Sequence, residues 1–199
     1  RLARCILNYR SAKKQMEQAE TLLKSIESDG RIHARFEPTG TDTGRFSSKN
    51  PNLQNIGRGK LRGCFTPADG SSLVVADYSQ VELRVAAVVA GENRMIEAYK
   101  NSEDLHRQTA SIVLGKPVEE VSKKDRQLAK AVNFGLLYGQ SAKGLVGYAK
   151  KAYGVEMDHE RARDIRGRFF SAYTGLSEWH KKTRKRARED AQSVHTVLG

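Results

Sequence analysis

Apolar residues recur every three or four positions through most of this chain, and polar–apolar alternation is confined to one short stretch. From Leu2 to Ile26, the positions Ile6, Tyr9, Met16, Leu22, Leu23 and Ile26 lie near a helical period and predict one long helix. Asp29-Gly30 supplies the turn that ends it. Arg31 to Phe36 alternates, which suits a half-buried strand. Ser72-Leu73-Val74-Val75-Ala76 is a short apolar run that predicts a buried strand ending at Asp77. An apolar helix is expected from Val81 to Ala90, followed by helices at roughly 94–100, 105–114, 123–138, 142–152, 159–170 and 176–192. Gly115-Lys116-Pro117, Tyr153-Gly154 and Tyr173-Thr174-Gly175 punctuate that series. The fold class is therefore α+β and mostly helical, with a shift near Gly91 from a mixed part to an all-helical one. Neither an internal repeat nor a low-complexity tract interrupts it.

Between Pro38 and Gly63 the periodicity gives way to Gly, Thr, Ser, Asn and Pro. Five basic residues stand among them: Arg45, Lys49, Arg58, Lys60 and Arg62. A loop of that length in a compact domain is usually functional. Charge sharpens the point. The 199 residues carry 35 Lys+Arg against 23 Asp+Glu, a net +12, with a pI near 9.8, so a polyanion is the leading partner class. Mean hydropathy is −0.62 and no apolar run approaches the ~18 residues that span a bilayer, which excludes a membrane-spanning helix. Cys5 and Cys64 are the only cysteines and form no CxxC, which argues against a disulfide framework or structural zinc and favours a reducing cytosol. The five histidines show no metal-like spacing. No G-x-x-x-x-G-K-[ST] occurs, so a P-loop nucleotidase is unsupported. The chain opens on Arg1 rather than Met and has no secretory signal, which points to a piece of a longer protein.

Three stretches carry candidate chemistry. In Asp77-Tyr78-Ser79-Gln80-Val81-Glu82-Leu83-Arg84, Ser79 and Glu82 fit a capping box at the start of an apolar helix. Asp77 stands outside that box, and is open to two readings: a structural turn residue, or a strand-end ligand for a hard cation. In the stretch from Arg126 to Gly139, Arg126, Lys130 and Phe134 are spaced by four and share one helix face, with Tyr138 one step further. Arg and Lys one turn apart can grip successive phosphates while a ring beyond them stacks on a base or sugar; a solvated basic face is the bland alternative. Leu128, Ala131 and Val132 fall on the packing side, and Gly135 and Gly139 mark a hinge or a close approach. In the loop, Thr41 to Ile56 combines hydroxyls, amides and cations suited to backbone and minor-groove contacts. A basic C-terminal stretch from Arg161 to Arg188 interleaves with Phe169, Phe170, Tyr173 and Trp179, rings that are more often core than stacking platforms.

These residues resemble the family A DNA polymerases. Thr43-Gly44-Arg45-Phe46-Ser47-Ser48 with Pro51-Asn52-Leu53-Gln54-Asn55-Ile56 looks like the family's primer-template loop, Asp77 to Arg84 like its motif A, and Arg126 to Gly139 like its motif B. The resemblance implies the palm and fingers portion of a right-hand fold with a small antiparallel palm sheet. Residues 1–30 would be the end of the thumb, 31–92 a partial palm and 93–199 the fingers. It implies template-directed addition of deoxynucleotides to a primer 3′ end. Asp77 and the Tyr78 carbonyl would hold paired Mg²⁺, with Asp77 and Lys130 catalytic. Gln80, Glu82, His106, Arg126, Lys130, Phe134 and Tyr138 would bind the nucleotide, Glu82 as a steric gate against a 2′-hydroxyl. Arg45, Gln54, Asn55, Tyr138 and Gly139 would contact DNA. Implied partners are primer-template DNA and deoxynucleoside triphosphates, with no membrane. One departure is that the family's second metal carboxylate lies in a later His-Asp-Glu strand absent before Gly199, which could come from a second chain carrying the remaining palm. The chain alone is then expected to be catalytically crippled, and the alternative is a non-catalytic DNA-binding fragment or half of a split polymerase.

Overall fold

In the computed structural model, the described residues are 2–41, 44–57 and 59–189; Thr43 and Arg58 of the predicted loop, and positions 190–199, lie outside them. The backbone divides into two compact units, Arg1–Ala76 and Asp77–Gly199.

In the first unit, helix α1 spans Leu2–Lys24. It stops two residues before the predicted end because Ser25 N and Ile26 N bond to Leu22 O and Leu23 O, tightening the last turn. Ile26 then bridges Ile32 across the turn at Gly30, whose φ of +75° suits glycine. The predicted strand is displaced: Ile32 makes only that isolated bridge, and the regular strand β1 is Arg35–Glu37. It pairs antiparallel with β2, Ser47–Lys49, in the register Arg35↔Lys49, Phe36↔Ser48 and Glu37↔Ser47. The stretch from 38 to 63 is thus not all loop, since it contains β2 and the short helix α2, Lys60–Gly63. Ser48 is buried beneath the bend that follows β2, its Oγ donating to Pro51 O (3.2 Å) and accepting from Leu53 N (3.1 Å). Gln18 of α1 holds the next segment by donating to Asn55 O at 2.9 Å. Residues 72–76 overturn the expectation of a buried strand. Val74 and Val75 are 90% and 92% exposed, and no described strand pairs with them. A buried strand needs neighbours for its N–H and C=O groups and a face to cover its side chains, and the described sheet is only β1–β2.

The second unit is helical: α3 Val81–Val89, α4 Asn93–Lys100, α5 Leu105–Leu114, α6 Lys123–Leu137, α7 Ala142–Tyr153, α8 His159–Ala172 and α9 Thr174–Glu189. Side-chain caps set most of the starts. Asp104, Ser141 and Asp158 accept from first-turn N–H groups of α5, α7 and α8. Ser122 and Asp125 form a capping box at α6, and Asp125 also pairs with Lys116 at 2.5 Å. The capping box predicted from Ser79 and Glu82 does not form. Gln80, at φ 55°, is the N-cap of α3, so Glu82 sits one position too early to reach back. Helix α6 packs on α3, α5, α7 and α8, and Leu128, Ala131 and Val132 are buried on it as their spacing required. Gly135 permits the approach of α7, since a Cβ there would lie 2.8 Å from Leu145 Cδ1. Phe169 and Tyr173 are fully buried, with ring centroids 4.8 Å apart, which makes them core. Glu92 is also buried. Its carboxylate accepts from Arg94 N (3.1 Å) at the start of α4 and from Gly175 N (2.8 Å) at the start of α9.

Candidate functional site

The face of α6 that the spacing singled out is assembled together with the start of α5. Asp104 is the common anchor. Its Oδ1 accepts from His106 N (3.0 Å) and Arg107 N (3.3 Å), and its Oδ2 takes the Arg126 Nε–H at 2.6 Å. Burial pushes the Asp104 carboxyl up, but the Arg126 hydrogen bond and the two backbone donors outweigh it and hold the group below its ordinary value. Arg126 is therefore fixed on the α5 side of α6 with its guanidinium still partly in solvent.

His106, in the first turn of α5, is 1% exposed. Its Nδ1 lies 2.8 Å from Asn133 Nδ2, and its ring is tilted 48° to that of Phe134 at 6.0 Å. Burial lowers its pKa to about 4, helped by the charges of Arg126 and Lys130 and opposed by Asp104. The ring is neutral at pH 7. Lys130 Nζ reaches 6.0 Å over the Tyr153 ring. His106, Arg126, Lys130 and Phe134 thus form one group: two cations, a neutral imidazole and an aromatic face.

At the other end of α6, Tyr138 is its C-cap, and the phenol donates to the Glu82 carboxylate at the start of α3. Beside this pair lies a groove of about 360 Å³ lined by Val81, Val85, Ala86, Leu137 and Trp179. Gly139 follows at φ +72°, with a virtual Cβ 3.6 Å from His180 of α9. Gln80 is turned toward α4, its Oε1 accepting from Tyr99 OH at 3.2 Å, while the Arg84 guanidinium stacks 4.2 Å above the same ring. Asp77 and Tyr78 precede α3 and are exposed. No group of three or more His, Cys, Asp or Glu side chains arranged for a metal occurs among the described residues. In the first unit, Arg45 precedes β2 and Gln54 and Asn55 follow it, all three exposed. Gln54 N bonds to Asn52 Oδ1 at 3.1 Å, which shapes that turn.

Sequence reasoning missed Asp104 and Asn133 as parts of this arrangement. Asp104 could have been found, because Asp directly before Leu105-His106-Arg107 is a helix-start signal. Asn133 left a fainter trace, a polar residue at a position the helical period assigns to the core.

The full length of the chain, residues 1–199, matches the family described as DNA polymerase family A. DNA polymerase I of Aquifex aeolicus is 45% identical over 195 residues, covering 98% of this chain and 34% of the relative. The Pseudomonas aeruginosa enzyme of the same name is 39% identical over 206 residues, covering all of this chain and 22% of its own length. Among solved structures, the POL domain of Pol1 from M. smegmatis, in complex with DNA primer-template and dNTP, superposes with a TM-score of 0.83 at 35% identity. That alignment covers 97% of this chain and 34% of the other. The chain spans between about a fifth and about a third of the length of these relatives, and it belongs to DNA polymerase family A.

Proposed function

We propose that this chain supplies the nucleotide-gripping segment of a template-directed DNA polymerase. The observation that carries the reading is the grouping of His106, Arg126, Lys130 and Phe134 on α5 and α6. Arg126 offers a planar fork and Lys130 a point charge one turn on, a pair suited to successive phosphates of a triphosphate. Both neutralise charge that builds on the leaving phosphates, which is the role proposed for Lys130 in catalysis. Phe134 offers a ring to base and sugar, and Tyr138 a second ring at the template side beside Gly139. Glu82, held by Tyr138, would pack under the sugar and exclude a 2′-hydroxyl. Gln80 would support that pocket from the N-cap of α3. Arg45, Gln54 and Asn55 would read the minor groove of the primer-template near the growing end. The M. smegmatis neighbour was solved with primer-template and dNTP, which supports both partner classes. Residues 1–30, 31–92 and 93–199 would then be thumb end, partial palm and fingers.

Paired Mg²⁺ ions would orient and activate the primer hydroxyl in such an enzyme. Here the donor set is one carboxylate, Asp77, plus the Tyr78 carbonyl, with no gathering of three ligating side chains among the described residues. That set is too small to hold two hard cations that each favour about six oxygens. The same observation favours a second reading, a non-catalytic DNA-binding segment or one part of a split polymerase.

Equilibrium binding of dATP to the chain tests the first reading. Arg126→Ala should weaken binding about 10- to 100-fold, the range for losing hydrogen bonds to a charged group. Equal affinity of wild type and variant would overturn it. Primer extension, with and without a second polypeptide that carries the remaining palm carboxylate, separates the two readings.

A further inference from the structure

A line of buried polar side chains runs inward from His106 and is not used by anything described so far. Asn133 and Thr109 are fully buried, as is Tyr173. Thr109 Oγ1 donates to Asn133 Oδ1 at 3.0 Å, and Tyr173 OH lies 2.8 Å from the same Oγ1. The threonine hydroxyl has one proton, already committed to Asn133, so the Tyr173 phenol must be the donor to Thr109. With its Oδ1 accepting, Asn133 turns its amide N–H toward His106 Nδ1 at 2.8 Å. Every polar atom in the line then has one consistent role: Tyr173 OH to Thr109, Thr109 OH to Asn133, Asn133 NH to His106. Reversing one member alone would set two donors or two acceptors face to face, so the line runs one way or the other as a whole, and the Thr109 donation to Asn133 Oδ1 sets its direction.

We propose that Tyr173, Thr109 and Asn133 are positioning residues that lock His106 in the tautomer whose Nδ1 accepts and whose Nε2 carries the proton. In that tautomer Nε2 is the nitrogen left to donate, so the neutral ring can offer an N–H to an anionic oxygen. This rests on the reading of His106 as a triphosphate ligand. The selection matters because a neutral imidazole can donate from only one nitrogen. The depressed pKa agrees, since a protonated ring would set its Nδ1–H against the Asn133 N–H. Within the group the division of labour is then explicit: Arg126 and Lys130 supply charge, and His106 supplies direction.

The experiment uses the full chain with ¹⁵N-histidine, reading ring nitrogen shifts at pH 7.5, and dATP titrations of the same samples. Wild type should show His106 protonated on Nε2. Asn133→Asp replaces the amide donor with an isosteric acceptor and should move the proton to Nδ1 or charge the ring. Thr109→Val removes the group that orients Asn133 without adding charge, and should give a mixture of tautomers with dATP affinity about 10-fold weaker. Far-UV circular dichroism verifies that each variant is folded. A wild-type ring protonated on Nδ1, or a tautomer unmoved in both folded variants, overturns the proposal. His106→Ala separates it from the functional reading. If that variant binds dATP as wild type does, the ligand role of His106 falls, while the ring shifts still decide whether the network sets the tautomer.

Discussion

Gly175→Ala should destabilise the helical unit although it replaces glycine by the best helix former in the first turn of a helix. A Cβ built at Gly175 lies 2.9 Å from Gly91 O, 3.0 Å from Ala90 O and 3.0 Å from Glu92 Cα. All three are backbone atoms and cannot rotate away, so the start of α9 has to move off the α3–α4 turn. That movement stretches the 2.8 Å bond from Gly175 N to the buried Glu92 carboxylate, the acceptor that also caps α4. Overpacking of this kind costs about 1–3 kcal/mol. Weakening a hydrogen bond to a charged acceptor adds a share of about 1.5–3 kcal/mol. Replacing glycine in a helix returns up to ~1 kcal/mol. The balance is a loss of about 2–3 kcal/mol. Gly147 in α7 and Gly167 in α8 are the controls, because nothing lies within 4 Å of a Cβ at either. Alanine there should stabilise by up to ~1 kcal/mol, so the sign itself discriminates. Urea unfolding followed by circular dichroism at 222 nm reads all three variants. A Gly175→Ala protein as stable as Gly147→Ala would refute the reasoning.

Further outcomes follow from the same geometry. His106 has a folded pKa of about 4 against an ordinary 6.5, so between these values the unfolded chain binds a proton that the folded chain does not. Stability from this group is complete above pH 6.5 and is lost as pH falls toward 4. At about 1.4 kcal/mol for each tenfold change in proton affinity, the loss is about 3 kcal/mol, and His106→Gln should flatten the profile of urea midpoints between pH 4.5 and 6.5. Tyr138→Phe removes the phenol bond to Glu82 at an exposed position and should cost under ~1 kcal/mol in the same assay; a larger loss would assign that pair a structural role. In a complete polymerase carrying this segment, Glu82→Ala should raise ribonucleotide incorporation in primer extension, and unchanged sugar selectivity would remove the gate. Phe134→Tyr should ease dideoxynucleotide uptake, read as earlier chain termination.

The helices were legible wherever period and caps agreed. Asp104, Ser122 and Asp158 are strong caps placed directly before apolar periodic runs, and α5, α6 and α8 begin at the expected residues. The strands were not, because alternation at 31–36 and the apolar run at 72–76 specify a preference for pairing without specifying a partner. Ser79 to Glu82 failed for a local reason: Gln80 adopts a left-handed conformation that no spacing rule reveals. Of the site, the α6 face was readable because it repeats at one helical period. The grouping with His106 was carried by resemblance alone. Its supports from Asp104, Thr109 and Tyr173 join residues as far apart as 64 positions, and only packing brings those together.

The exposed Leu73-Val74-Val75 run has a consequence for how this polypeptide behaves at concentration. Apolar, rich in β-branched valine and with no strand partner among the described residues, it offers its backbone edge to an extended chain, including an identical one. Asp69 and Asp77 bracket it and oppose such stacking through like-charge repulsion, the role of gatekeeper residues. Salt screens that repulsion and weakens the protection. High salt should therefore turn a clear preparation turbid well before the helical unit melts, with scattering that grows with protein concentration.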